Sequence, residues 1–484
     1  MPNRFTIQLS HTQATLLSLG LTSGVAVSLL TAIILFGDQQ MGQLAVAGLG
    51  GLVVTALMFT HPPLGIYLLI ITIYTNMSTV LGRLGVPSIN KPLAALAFVT
   101  IATSYFWGQK PLPRLKLVEW AMILMGSTWL LSGLTAVNPY AVRLRTLDFA
   151  KDVLILLCII WALQKRVYWQ QAIWVLILSA TALALLSCYQ VVTGHFEQTF
   201  WGFAGIKEDQ VITELYQNRL SGPLGDPNFY GMMLVAALPL AVYRLLEEKE
   251  KGKKVAAGLC CAALIFTILN TYSRGALFAT LITGFIITIE RHINLKIIFT
   301  LSFMGLLALP FLPEGYGARV ASLNSVVGEG AAVQNEISVR GRTSELISGI
   351  LMFVDHPVLG IGAGNYSDQY QNYAKRIGLE YRSTAREAHS LYVEFLAEIG
   401  SLGSLAFILL VVSWFARLRA IRATLIAQKQ LPEAAWIASL MMSVTGYLLC
   451  SLFLHGDYIR YLWLYISLGA AAIHLGPAGL IRHE

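Results

Sequence analysis

Arg219, Arg274 and His389 each sit in a short polar motif flanked by apolar runs. Arg219 opens RLSGPLGDPN, residues 219–228; Arg274 lies in TYSRG, residues 271–275; His389 heads HSLYVEFLAEIG, residues 389–400. Two guanidinium groups can clamp a diphosphate through planar, bidentate hydrogen bonds. An imidazole nearby can take a proton from a hydroxyl at near-neutral pH, as attack on an anomeric carbon with a pyrophosphate leaving group requires. Each residue also has a plainer reading. Arg219 can anchor to lipid headgroups, Arg274 can pair a carboxylate or carbonyl at a helix end, and His389 can cap a helix or face headgroups.

Weaker candidates surround these three. Arg342 precedes a candidate amphipathic helix at 343–354, on which Leu346, Ile347, Ile350, Leu351 and Val354 share one face. Asn228 ends the first motif, and His455, Asp457 and Arg460 belong to HGDYIR. These five either contact a substrate in the same outer cavity or serve as interfacial anchors. Glu394 and Glu398 share a helical face that points away from His389, so they form no dyad with it. DHPVLGIGAGNY, residues 355–366, lacks both a preceding strand and the GxGxxG spacing, and reads as a glycine-rich turn rather than a phosphate loop. No DxD pattern occurs, so the carboxylate cradle for a metal-bound sugar nucleotide is missing. Arginine would neutralise the phosphates without Mg²⁺, and neither a metal nor another cofactor is expected.

The elements that must position these residues are membrane helices. Of 484 residues, 56% are apolar and 12% charged, against about 25% charged in an average soluble domain. This excludes an ordinary water-soluble enzyme and intrinsic disorder. The net charge of +8 is spread over short clusters between apolar runs, which indicates membrane orientation rather than nucleic-acid binding. All five cysteines fall in apolar stretches, where they read as inert core residues.

Apolar runs lie near 16–36, 44–60, 64–80, 93–107, 117–135, 150–163 and 171–192, then near 228–246, 255–271, 275–289, 296–312, 391–416, 434–454 and 458–476. The first is too long for a signal-peptide core and reads as an anchor helix. Fourteen runs predict an all-α polytopic protein of about 12–14 transmembrane helices, with one large outer segment containing short helices. Four regions follow: N-terminal helices 1–192, central helices 193–312 with outer loop 193–227, a lid at 313–390, and C-terminal helices 391–484. Lys and Arg concentrate in alternate connections, among them Lys110, Lys165 with Arg166, EEKEKGKK at 247–254, and Arg417 to Lys429. The positive-inside rule places these and both termini in the cytoplasm, and the two long connections outside. Lys254 to Glu290 spans 37 residues, about 55 Å as one helix. Two crossings with a break at TYSRG fit better, and put Arg274 at the outer surface.

RLSGPLGDPN, TYSRGA, GRTSELISGILMFVDHPVLGIGAGNY and AHSLYVEFLAEIG, in this order, resemble the O-antigen ligase/polymerase superfamily of bacterial envelope glycosyltransferases over about residues 215–415. The N-terminal two hundred residues resemble it only in hydropathy. The resemblance implies a GT-C-like, metal-independent, inverting enzyme of the bacterial inner membrane. Such an enzyme moves glycan from undecaprenyl pyrophosphate to a sugar hydroxyl at the periplasmic face, as an O-antigen ligase or a polysaccharide polymerase of lipopolysaccharide and cell-envelope biosynthesis. Its implied partners are the lipid-linked glycan, a glycan or lipid A-core-like acceptor and membrane lipids, with no nucleic acid. It assigns Arg219 and Arg274 to the pyrophosphate and His389 to acceptor activation. The alternative is a membrane transporter of a small solute such as bicarbonate, which would show ionisable residues or Gly/Pro breaks near the bilayer midplane in two repeats.

Overall fold

The structure is a computed structural model that describes residues 39–109, 111–212, 215–292, 332–377 and 386–481. The described residues form fifteen α-helices and one β-hairpin. The first seven helices are α1 (Gln39–Thr60), α2 (Pro63–Tyr74), α3 (Met77–Arg83), α4 (Asn90–Trp107), α5 (Leu117–Ser132), α6 (Pro139–Ala162) and α7 (Arg166–Thr193). Strands β1 (Ile206–Ile212) and β2 (Leu215–Leu220) follow, then α8 (Pro227–Glu247), α9 (Lys251–Asn270) and α10 (Arg274–Glu290). The remainder comprises α11 (Ala332–Asp355), α12 (Tyr366–Ile377), α13 (Leu391–Ala427), α14 (Leu431–Cys450) and α15 (Arg460–Ile481).

Six helices, α7, α8, α9, α13, α14 and α15, are long and apolar enough to cross a bilayer. This is a multi-pass membrane protein. Twelve of the fourteen apolar runs fall on helices, while those near 16–36 and 296–312 lie outside the described residues. The run at 64–80 is two helices, α2 and α3, bent by 59°. Asn76 adopts a left-handed conformation at the break, φ 51°, where its side chain accepts from Thr79. The run at 150–163 is the second half of α6, which Asn138 caps and Pro139 opens.

The chain divides into two compact units, 1–69 with 89–112 and 70–88 with 113–484. In the first, α1 packs on α4. The second is built round α8, whose residues from Phe229 to Ala241 are buried and whose neighbours are α7, α9, α10 and α14. Small residues permit the close approach, as expected where helices associate by packing rather than by exclusion of water. A Cβ on Gly231 would meet Ala276 of α10 at 2.8 Å, and one on Gly446 would meet Val235 at 3.1 Å.

Among the described residues the hairpin is the one departure from the all-α expectation. Its antiparallel register places Lys207 opposite Arg219, so Arg219 sits near the end of a paired strand rather than in an open loop. The expected break in Lys254–Glu290 lies at Thr271–Ser273, with Tyr272 in a left-handed conformation and the Ser273 hydroxyl capping α10. α13 is kinked at Gly400, φ 61°, where a Cβ would lie 2.4 Å from the Val358 carbonyl oxygen.

Candidate functional site

The first two motifs are joined through Arg219. Its Nε donates to the Thr271 carbonyl at 3.0 Å and its Nη2 to Asn228 Oδ1 at 3.1 Å. The strand end is thereby tied to the α9–α10 turn and to the first turn of α8. Asp226 completes the connection by accepting from the Asn228 and Phe229 amides, with Pro227 at N1. Arg274 is the first residue of α10 and its side chain is exposed.

Arg342 of α11 joins this pair. Partial desolvation and the positive charges of Arg274 and Arg219 hold its guanidinium below the ordinary arginine range, against the opposing pull of Glu345. Arg342 therefore feels the positive charges of residues from two other segments, Arg274 and Arg219.

His389 stands beside Arg342, in a left-handed conformation (φ 46°) immediately before α13. Burial pushes its imidazole down to about 4, reinforced by the charges of His455, Arg342 and Arg386 and opposed by Asp226. The ring is therefore neutral at pH 7, by about a thousandfold, and free to accept a proton. Its Nε2 lies 3.6 Å from Glu345 Oε2, and Glu345 is 2% exposed. The His455 ring packs edge-on to that of His389 at 5.6 Å. Burial alone would lower the pKa of His455, but the hydrogen bond it donates to Asp457 and the charges of Glu394, Asp457 and Glu387 raise it. Asp457 accepts from His455 Nε2 at 2.9 Å and pairs with Arg145 at 3.4 Å.

The two acidic residues of α13 hold loops in place. Glu398 accepts the amides of Gly364 at 2.8 Å and Tyr366 at 3.0 Å, and Glu394 accepts that of Gly456. The amides of GIGAGNY that a phosphate would need thus already hold a carboxylate, and the segment is a turn, as its spacing indicated. Asn365 adds a bond that its Oδ1 accepts from the Asn138 amide at 2.7 Å.

Arg219, Arg274, Arg342, Asn228, His389, His455 and Asp457 come together. Arg460 stands apart: its Nε donates to Asp152 Oδ1 at 2.9 Å in a small cleft lined by Ile73, Trp463 and Ser467. Glu345, Arg386 and Arg145 were not singled out from the sequence. Glu345 had a signal, since it follows Ser344 and precedes Ser348 and Gly349 on a face of small residues able to approach another helix closely.

Fold and site together define a multi-pass membrane protein with a cationic cluster and a neutral histidine at one end of its helices. Residues 259–408, from within α9 to within α13, match the family described as O-antigen ligase, which supports the likeness to the O-antigen ligase/polymerase superfamily. The matched stretch contains Arg274, Arg342, Glu345 and His389; Arg219, His455 and Asp457 lie outside it. No curated protein matches the chain.

Proposed function

We propose that the protein transfers a glycan from undecaprenyl pyrophosphate to a sugar hydroxyl at the periplasmic face of the inner membrane, both termini being cytoplasmic. Ligase/polymerase-type glycan transfer is the family's general activity. The observation that carries the finer reading is the repulsion Arg342 feels from Arg274 and Arg219 beside a neutral His389. A diphosphate relieves the repulsion, and bidentate guanidinium contacts stabilise the charge that grows on it as the bond to the anomeric carbon breaks.

The acceptor oxygen attacks the anomeric carbon from the face opposite the pyrophosphate, giving inversion, and its proton passes to His389. The C–O bond to pyrophosphate breaks, and the leaving group departs as an anion held by the arginines. The resulting imidazolium faces the carboxylate of Glu345. In the empty site burial, reinforced by the charges of His455, Arg342 and Arg386, makes His389 a weak base. Bound diphosphate offsets the charge part of that depression and moves the imidazole up from its empty-site value, so base strength rises when donor is present.

The test is transfer by purified protein in detergent from a lipid-linked oligosaccharide, since transfer needs no sealed compartment. Product with inverted configuration supports the reading. Failure with several donors, together with solute uptake into sealed vesicles, would overturn it in favour of a transporter.

A further inference from the structure

α11 has a polar face turned inward and an apolar face turned outward. Ser344, Glu345, Ser348 and Gly349 are buried, and a Cβ on Gly349 would lie 2.5 Å from Val393 of α13. On the other side Leu346, Ile350 and Val354 are 37%, 50% and 62% exposed, and Val358 beyond the helix end is 60% exposed. The four-residue spacing of Leu346, Ile350 and Val354 makes a single helical stripe, which Val358 in the following turn extends.

The far end of this stripe meets membrane-facing surface. The Ser401 amide donates to the Pro357 carbonyl at 2.8 Å and the Leu402 amide to the Val358 carbonyl at 3.2 Å. Beyond that point α13, a membrane-crossing helix, exposes Leu402, Leu405, Leu409 and Val412. Exposed leucines and valines on a spanning helix are its contact with lipid. At the near end Arg342, one turn before Leu346, supplies a cation. An apolar stripe headed by a cation and continuous with lipid-facing surface fits the boundary between acyl chains and phosphate headgroups.

We propose that α11 is an interfacial helix whose stripe Leu346, Ile350, Val354 and Val358 is immersed in the acyl chains of the leaflet at this end of α13, holding Arg342 at the depth of lipid phosphates. That Arg342 thereby meets the diphosphate of a membrane-embedded donor rests on the reading above; the immersion does not. Full-length protein in phosphatidylcholine vesicles containing a phospholipid with a mid-chain diazirine tests it by irradiation and peptide mapping. Residues 402–412 are the internal standard for inserted, folded protein. Adducts on 346–358 at a density comparable to that standard are expected, whether or not the protein turns over any donor. Adducts on 402–412 but none on 346–358 would overturn the proposal. So would cross-links from 346–358 to a second copy, or adducts that disappear when undecaprenyl pyrophosphate is added, which would assign the stripe to the donor's own tail.

Discussion

Arg166, Arg291 and Arg422, at the end of the helices where α8 finishes and α14 begins, are each closed by a carboxylate: Glu433, Glu247 and Glu290. Arg244 in the same region lies 3.3 Å from the centre of the Trp436 ring. At the opposite end, where α8 begins, Arg274 and Arg342 join no carboxylate in an ion pair among the described residues, and the largest charge acting on Arg342 is that of Arg274, ahead of Glu345 and Arg219. Closed arginines fasten helix ends. Cations placed near one another without a carboxylate between them favour an arriving anion. In the proposed function the same residue type serves structure at one end and ligand binding at the other, and mutation should separate the two roles.

Replacing His389 should have the largest effect. His389→Ala removes the proton acceptor, and transfer should fall by about 10²–10⁴ with thermal unfolding and donor binding nearly unchanged; near-normal product would remove the base from the mechanism. Next, Arg274→Lys keeps the charge but loses the fork, and a loss of about tenfold or more in kcat/KM is expected. Full activity in the lysine variant would reduce Arg274 to an electrostatic anchor. Glu345→Gln should lower kcat with little change in KM, because the imidazolium forms only as the reaction proceeds; an equal rise in KM would make Glu345 a packing residue.

The acid limb of the pH profile sharpens the same comparison. His389 is deprotonated above a pKa of about 4, so kcat/KM, which reports the free enzyme, should hold as pH falls through 6 and decline only as it approaches that value. The kcat limb should lie at higher pH, because bound diphosphate raises the imidazole. Coincident limbs near 6.5 would show that neither burial nor the neighbouring cations depress His389. The smallest effect on catalysis belongs to the opposite end. Glu433→Gln opens the pair with Arg166, whose side chains are 15% and 7% exposed, and should cost about 3 kcal/mol of stability, read as a lower unfolding temperature with unchanged turnover per folded molecule.

Much of this was legible because membrane helices announce themselves by composition, and a break was forced wherever a run outgrew the bilayer. TYSRG was found that way, and Arg219 and His389 by polar motifs flanking apolar runs. The hairpin was not legible, because its residues, IKEDQVI and LYQNRL, alternate too irregularly to read as strands. Glu345 was missed because its role depends on α11 turning small residues inward, a choice made by the close fit to α13 and not by hydrophobic periodicity. Arg460 was grouped with the site by proximity in sequence to Asp457, yet α15 begins there and points it at Asp152.

The central claim is that a bound anion offsets the cationic charges which, on top of burial, suppress His389. The most direct measurement is the NMR titration of the His389 imidazole, assigned against His389→Ala, in the full protein with and without undecaprenyl pyrophosphate. The account predicts a midpoint near 4 in the free protein, moving upward when the diphosphate binds and staying put when Arg274→Gln weakens binding. A midpoint already at the ordinary histidine value, and indifferent to the diphosphate, would contradict it.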